Sequence, residues 1–136
     1  MRKLFSVFFL ALVYATITFG QPAMDIPLTA DDGIDSNNGL ALGFDSTATN
    51  GIDPALGESD LPPFPPAGVF EARFDLTPYA GEQLSSYKDY RYAPAFPYTG
   101  ITEHKLIWQL SSGATKFQIE YNLPPEATMI IKDLVG

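Results

Sequence analysis

Twelve prolines and eleven glycines break this 136-residue chain every few residues. Proline fixes φ and removes a backbone donor, and glycine turns the chain where other residues cannot. Beyond residue 20 no window sustains an apolar period of 3.6 residues with helix caps. Short strands joined by turns are the remaining building material. There is no Cys, so no disulfide framework can staple the fold. A hydrophobic core must hold it, with or without help from a metal.

The period-two patterns place the strands. Phe70, Ala72, Phe74 and Leu76 alternate with Glu71, Arg73 and Asp75. Leu106, Trp108 and Leu110 alternate with Lys105, Ile107 and Gln109, and Phe117, Ile119, Tyr121 and Leu123 with Lys116, Gln118, Glu120 and Asn122. Leu40, Leu42 and Phe44 alternate across Ala41 and Gly43. Each pattern predicts a strand with one buried and one solvated face. Ile26-Pro27-Leu28 predicts a first strand whose proline suits an edge. Met129-Ile130-Ile131 predicts a last strand, apolar on both faces. Ser111-Ser112-Gly113-Ala114 reads as a hairpin turn, making 105–123 an antiparallel pair with Trp108 in its core. Leu61-Pro62-Pro63-Phe64-Pro65-Pro66 predicts an extended crossover over 61–66, with Phe64 anchored on the core. The fold class that follows is all-β: an antiparallel β-sandwich of immunoglobulin-like character, with a barrel as the alternative.

The N-terminus reads as a targeting segment. Arg2 and Lys3 precede an apolar run from Leu4 to Tyr14, and small residues follow at Thr18 and Gly20. That is the pattern of a secretory signal peptide over 1–20, leaving Gln21 as the mature N-terminus. The run falls short of the roughly 20 apolar residues of a membrane span. The expectation is one domain over 21–136, secreted or on the cell surface, with no membrane association after cleavage. Without Arg2 and Lys3, six bases face sixteen acids for a net charge of −10. Such a surface repels nucleic acid and anionic lipid.

The charge is unevenly spread. Eight acids lie between Asp25 and Asp60, with no Lys or Arg among them. They read either as a solvated loop face or as a calcium site. Ca²⁺ takes six to eight oxygens from carboxylates and carbonyls on flexible loops. The acidic loop 45–60 offers Asp45, Asn50, Asp53, Glu58 and Asp60 as metal ligands, and Asp31, Asp32 and Asp35 form a second cluster beside Asn37 and Asn38. Neither set has the ligand spacing of an EF-hand. His104, the lone histidine, sits in Glu103-His104-Lys105 and reads as part of a surface trio. No spacing singles out a catalytic constellation, so the chain reads as a non-enzyme. Tyr87, Tyr90, Tyr92 and Tyr98, with Phe96, read either as caps of the core or as an aromatic platform for sugar rings. Arg73 and Arg91 are expected to pair with nearby acids and fix loops.

Nearly all of the chain beyond residue 20 resembles a module of large exported proteins of the type IX secretion pathway. The residues that carry the likeness are Gly43-x-Asp45, Ala48-Thr49-Asn50-Gly51-Ile52-Asp53, Leu56-Gly57-Glu58, Leu61-Pro62-Pro63-x-Pro65-Pro66-x-Gly68-Val69-Phe70-x-Ala72-Arg73-Phe74, Asp89-Tyr90-Arg91, the 105–121 segment, Asn122-Leu123-Pro124-Pro125 and Lys132-Asp133-Leu134-Val135-Gly136. The resemblance implies an extracellular or cell-surface β-sandwich accessory module with no assigned chemistry. Such proteins end in a C-terminal sorting domain. This chain stops at Gly136 without one, so the expectation is a fragment of a longer protein, its sandwich incomplete at the C-terminus and open at one edge. The functional expectation is a non-enzymatic structural or adhesion module; the alternative is a carbohydrate-binding module, Ca²⁺-dependent or not. Its partners would be other domains of the same polypeptide, extracellular glycans or surface proteins.

Overall fold

A computed structural model describes residues 20–134. The signal-peptide reading therefore lies outside the described residues except for Gly20, as do residues 135 and 136.

Strands β1 (Met24–Asp31) and β2 (Ser36–Asp45) form an antiparallel hairpin, with Met24 opposite Phe44 and Asp31 opposite Ser36. The ladder shifts register between Leu28 and Ala30. The turn between the strands is built by Asp32, whose Oδ1 accepts the N–H groups of Ile34 and Asp35 at 2.9 and 2.8 Å. At the other end of the hairpin the strands press together so closely that a Cβ on Gly43 would lie 1.9 Å from the Met24 carbonyl oxygen. Only glycine fits there.

Two sheets result. In the first the order is β5 (Lys88–Tyr92), β2, β1, β7 (Gln118–Tyr121). In the second it is β4 (Ser85–Ser86), β3 (Glu71–Asp75), β6 (Leu106–Gln109). A four-residue helix α1 (Thr77–Ala80) follows β3, and a 3-10 turn occupies Pro54–Leu56. The structure is thus mostly β. Its core draws on both sheets: Ile26, Leu28, Ala30, Leu40 and Leu42 meet Ala72, Phe74 and Leu76. Of the inward faces predicted for β2 and β3, Leu40 and Leu42 and Ala72, Phe74 and Leu76 are buried.

Several expectations need correcting. The sheets are not wholly antiparallel, because β5 runs parallel to β2, with Ala41 opposite Lys88 and Asp45 opposite Tyr92. A parallel neighbour needs a long crossover, and the segment 46–87, which visits the second sheet, supplies it. The 105–123 segment is no hairpin: β6 pairs with β3 and β7 with β1, in different sheets. The turn at 111–114 arches between layers, and Trp108 stacks on Phe117 across the arch at 4.4 Å with rings 6° from parallel. Trp108 is 38% exposed and is not a core residue. β1 is interior rather than an edge, yet Pro27 sits just beyond the β1–β7 ladder, which starts at Leu28, so its missing N–H meets an open side. β2 is buried on both faces: Ala41 joins Ala48, Leu56 and Tyr90 in a second small core beneath the acidic loop. Met129–Ile131 forms no strand; Met129 packs against the main core, while Ile130 and Ile131 are exposed.

Candidate functional site

The acidic loop runs along one side of the two sheets and supplies what their edges lack. Strand β5 is an outer strand, so its outward N–H groups have no ladder partner. Glu58 Oε1 accepts the Tyr90 N–H at 2.7 Å, and its Oε2 accepts the Asp53 N–H at 2.8 Å. Ser86 Oγ accepts the N–H groups of Lys88 at 3.2 Å and Ser59 at 3.4 Å. The outer side of β4 is closed the same way: Leu61 N–H donates to the Ser85 carbonyl at 2.9 Å, and Ser85 N–H donates to Asp60 Oδ1 at 3.2 Å. An unpaired edge invites another chain, and here both edges on this side are occupied by loop groups.

Glu58 is buried. Burial pushes its carboxyl up to about 7, with the negative charges of Asp53 and Asp89 adding to the rise, against the pull of its two N–H donors. The other proposed metal ligands point elsewhere. Asp45 Oδ1 accepts both the N–H and the hydroxyl of Thr47, its Oδ2 accepts the Ala23 N–H, and the Thr47 hydroxyl leads in holding it below the usual carboxylate range. Asp53 takes the N–H and hydroxyl of Thr49 at 2.7 and 3.0 Å. Asn50 Oδ1 accepts from Arg91 at 3.4 Å. Asp45, Asn50, Asp53, Glu58 and Asp60 are thus spread over separate donors. Among the described residues no three His, Cys, Asp or Glu side chains are grouped to hold a metal ion. The second cluster is turn chemistry: Asp31 caps Gly33, Asp35 caps Ser36, and Asp32 caps both Ile34 and Asp35. Asp32 also reaches Ser111 N–H at 2.6 Å, tying the arch to the hairpin turn. Burial would raise its carboxyl, but the donors from Asp35, Ser111 and Ile34 prevail and hold it at about 2. Asn37 spans the sheets, donating to the Ala72 carbonyl at 3.1 Å.

Arg91 pairs with an acid as expected, but the enclosed group it belongs to, which takes in His104, was not foreseen and lies between the layers. Asp89 and Arg91 occupy alternate positions of β5 and share the face opposite Tyr90. Arg91 Nη2 donates to Asp89 Oδ2 at 3.1 Å. Its Nε lies 2.7 Å from Oδ1 but does not aim its hydrogen there, so that contact is one of charges. His104 Nδ1 sits 2.8 Å from Asp89 Oδ2, with its ring edge-on to Phe44 and Phe74. Arg91 stacks on the Tyr79 ring at 4.0 Å. The His104 side chain is only 10% exposed and that of Asp89 1%, which overturns the surface-trio reading of His104. The available signal was the Asp-x-Arg spacing around Tyr90 in Lys88–Tyr92; a lone histidine thirteen residues later gave none.

The chemistry of this group is bounded by its enclosure. Asp–His is the orienting half of a general-base arrangement, in which the free imidazole nitrogen must meet a nucleophile. Here His104 Nε2 is buried and makes no hydrogen bond. A groove of about 370 Å³ runs beside Phe64, Arg73 and Ile107, and one of about 200 Å³ beside Asn37, Glu71 and Tyr87; neither is lined by Asp89 or His104.

Arg73 does the loop-fixing expected of it. It pairs with Glu71 at 3.0 Å, donates to the Pro62 carbonyl at 2.5 Å and stacks on Phe64 at 4.4 Å. Phe64 is therefore anchored on a guanidinium rather than in the apolar core.

The four proposed platform tyrosines do not form one exposed surface. Tyr90 is 1% exposed and donates its hydroxyl to Asp25 at 2.9 Å, so it is a core residue and no part of a platform. Tyr87 packs against the main core and reaches Glu71 at 3.4 Å. Tyr98 is half-buried against Phe44 at 5.5 Å. Tyr92 is exposed, as is Phe96.

No protein-family model, no curated protein and no solved structure matches the chain.

Proposed function

We propose that this chain is a non-enzymatic structural module, a β-sandwich of immunoglobulin-like character, that serves in adhesion outside the cell. The observation that carries the reading is the inward turn of its polar side chains: His104, Asp89 and Arg91 are closed between the sheets, with His104 Nε2 out of reach of solvent. The loop acids cap backbone donors in the same architectural way. The secretory pattern of residues 1–20 and the resemblance to exported type IX modules favour an extracellular site of action, joined to other domains of one polypeptide. The test combines location and activity. Epitope-tagged protein should appear in the medium or on intact cells, and beads coated with it should adhere to cell surfaces. Recovery from the cytosol alone would reject the reading. So would hydrolysis of ester, peptide or glycoside test substrates that His104→Gln abolishes at an unchanged melting temperature.

A carbohydrate-binding role rests on the exposed remainder of the aromatic stretch, Tyr92 and Phe96. Glycan-array binding lost in Tyr92→Ala and Phe96→Ala would favour it, and the same array run with Ca²⁺ and with chelator would show whether an ion takes part.

A further inference from the structure

The two sides of the layered sheets are finished differently. Along β5 and β4 the outward backbone groups are met by Glu58, Ser86, Asp60 and Leu61. On the opposite side, β7 pairs with β1 alone, and no backbone group outside the sheet is bonded to residues 118–121 among the described residues. We propose that this chain binds a second copy of itself through β7, the two strands running antiparallel about a two-fold axis at Gln118.

The register follows from charge. A two-fold axis at Gln118 sets Lys116 of each copy opposite Glu120 of the other, so that both ends of the seam carry an opposite-charge pair. The same register sets Phe117 opposite Ile119 on the face toward the core. Both are partly buried against that core already, so the seam would continue the apolar layer. Trp108, stacked on Phe117, and Tyr121 flank it with further exposed aromatic surface. Other registers lose this match. A slip of one residue puts outward residues opposite inward ones, and a slip of two separates Lys116 from Glu120. Lys116 and Glu120 are both exposed, and Lys116 Nζ donates to the side-chain Oε1 of Gln118 at 2.6 Å, beside the axis. The other strand on this side, β6, is not self-complementary: residues 105–110 hold one charge, Lys105, which is committed to Asp75 at 2.7 Å.

A seam of about five residues a side falls well below the roughly 20–30 of a standard specific interface, so the dimer should be weak and dependent on concentration and salt. Sedimentation of the purified full chain tests it. The protein should pass from monomer to dimer as concentration rises. Lys116→Glu and Glu120→Lys should each weaken association on the order of tenfold, since each turns two attractive pairs repulsive. The double variant K116E/E120K, which restores opposite charges, should return to within about threefold of the parent. Hydrogen exchange is the second measurement: amides of residues 116–121 should slow on concentration while those of β5 do not. A monomer at every concentration overturns the proposal. So does association that the single reversals leave unchanged, or a double variant no tighter than the singles. If a single variant fails to fold, exchange on the parent chain decides alone, and unchanged rates at 116–121 overturn the proposal.

Discussion

Glu58 Oε1 accepts the Tyr90 N–H at 2.7 Å, so one loop carboxylate stands where the next strand's carbonyl would stand in a wider sheet. The hydrogen bond costs an ionisable group its water. With Asp53 and Asp89 close by, the carboxyl is pushed up to about 7 from an ordinary 4.5. A carboxyl raised on folding contributes stability that is complete below pH 4.5 and lost as pH rises through 7.

The first prediction follows from that sign. The parent protein should lose stability between about pH 5 and 8, and Glu58→Gln, which does not titrate, should remove that part of the slope. Urea midpoints for both proteins from pH 4.5 to 8.5 give the comparison. Parallel curves would show that Glu58 titrates normally in the fold.

Asp32 works in the opposite direction. Despite its burial, its donors hold it at about 2, below the ordinary 3.8, so its contribution is complete above pH 3.8 and fades as pH falls toward 2. Asp32→Ala should lower the melting temperature at neutral pH and deprotect the amides of Ile34, Asp35 and Ser111 together, because one side chain holds all three. Hydrogen exchange reads this directly. Loss of protection at Ile34 and Asp35 with Ser111 unchanged would show that the arch does not depend on Asp32.

What could be read from the residues was the local pattern. The alternation at Phe70–Leu76 and at Leu40–Phe44 gave the inward faces of β3 and β2, because periodicity depends only on neighbours along the chain. Partners across space were not readable. Ser111–Ala114 has turn residues, but whether a turn closes a hairpin or arches between sheets depends on which strand is already occupied beside it. β2 looked half-solvated because the covering came from Ala48 and Leu56, seven and fifteen residues from Ala41. The acids of the loop were legible as a charge anomaly. Their employment as caps was not, since backbone N–H groups leave no mark in a sequence. His104 was misread because a single histidine among charged neighbours carries no burial signal.

The buried charges give a ranking. Asp89→Ala leaves Arg91 enclosed without its carboxylate, and breaking a buried pair in this way costs about 3–5 kcal/mol. That is a large share of the roughly 5–15 kcal/mol of a typical domain. His104→Leu should cost less, since Asp89 keeps Arg91 and the leucine sits between Phe44 and Phe74. Urea unfolding of the two variants settles the order; a greater loss for His104→Leu would mean that the histidine, not the arginine, holds Asp89 in place.

Trp108 and Phe74 separate arch from core. Phe74 is 2% exposed and lies in the cluster that joins the sheets, so Phe74→Ala should cost about 3–5 kcal/mol. Trp108 keeps 38% of its surface in water and packs on one face against Phe117. Its removal forfeits an aromatic pair worth about 0.5–1.5 kcal/mol beyond its buried area, and the arch can relax around the gap. Trp108→Ala should therefore cost roughly half as much as Phe74→Ala or less. Because Trp108 is the chain's one tryptophan, its fluorescence also follows the arch in the parent protein. A Phe117→Leu variant should red-shift that emission while leaving the urea midpoint close to the parent's. Equal losses for Trp108→Ala and Phe74→Ala would place the tryptophan in the core after all, and the 105–123 segment would then have to fold against both sheets more tightly than an arch allows.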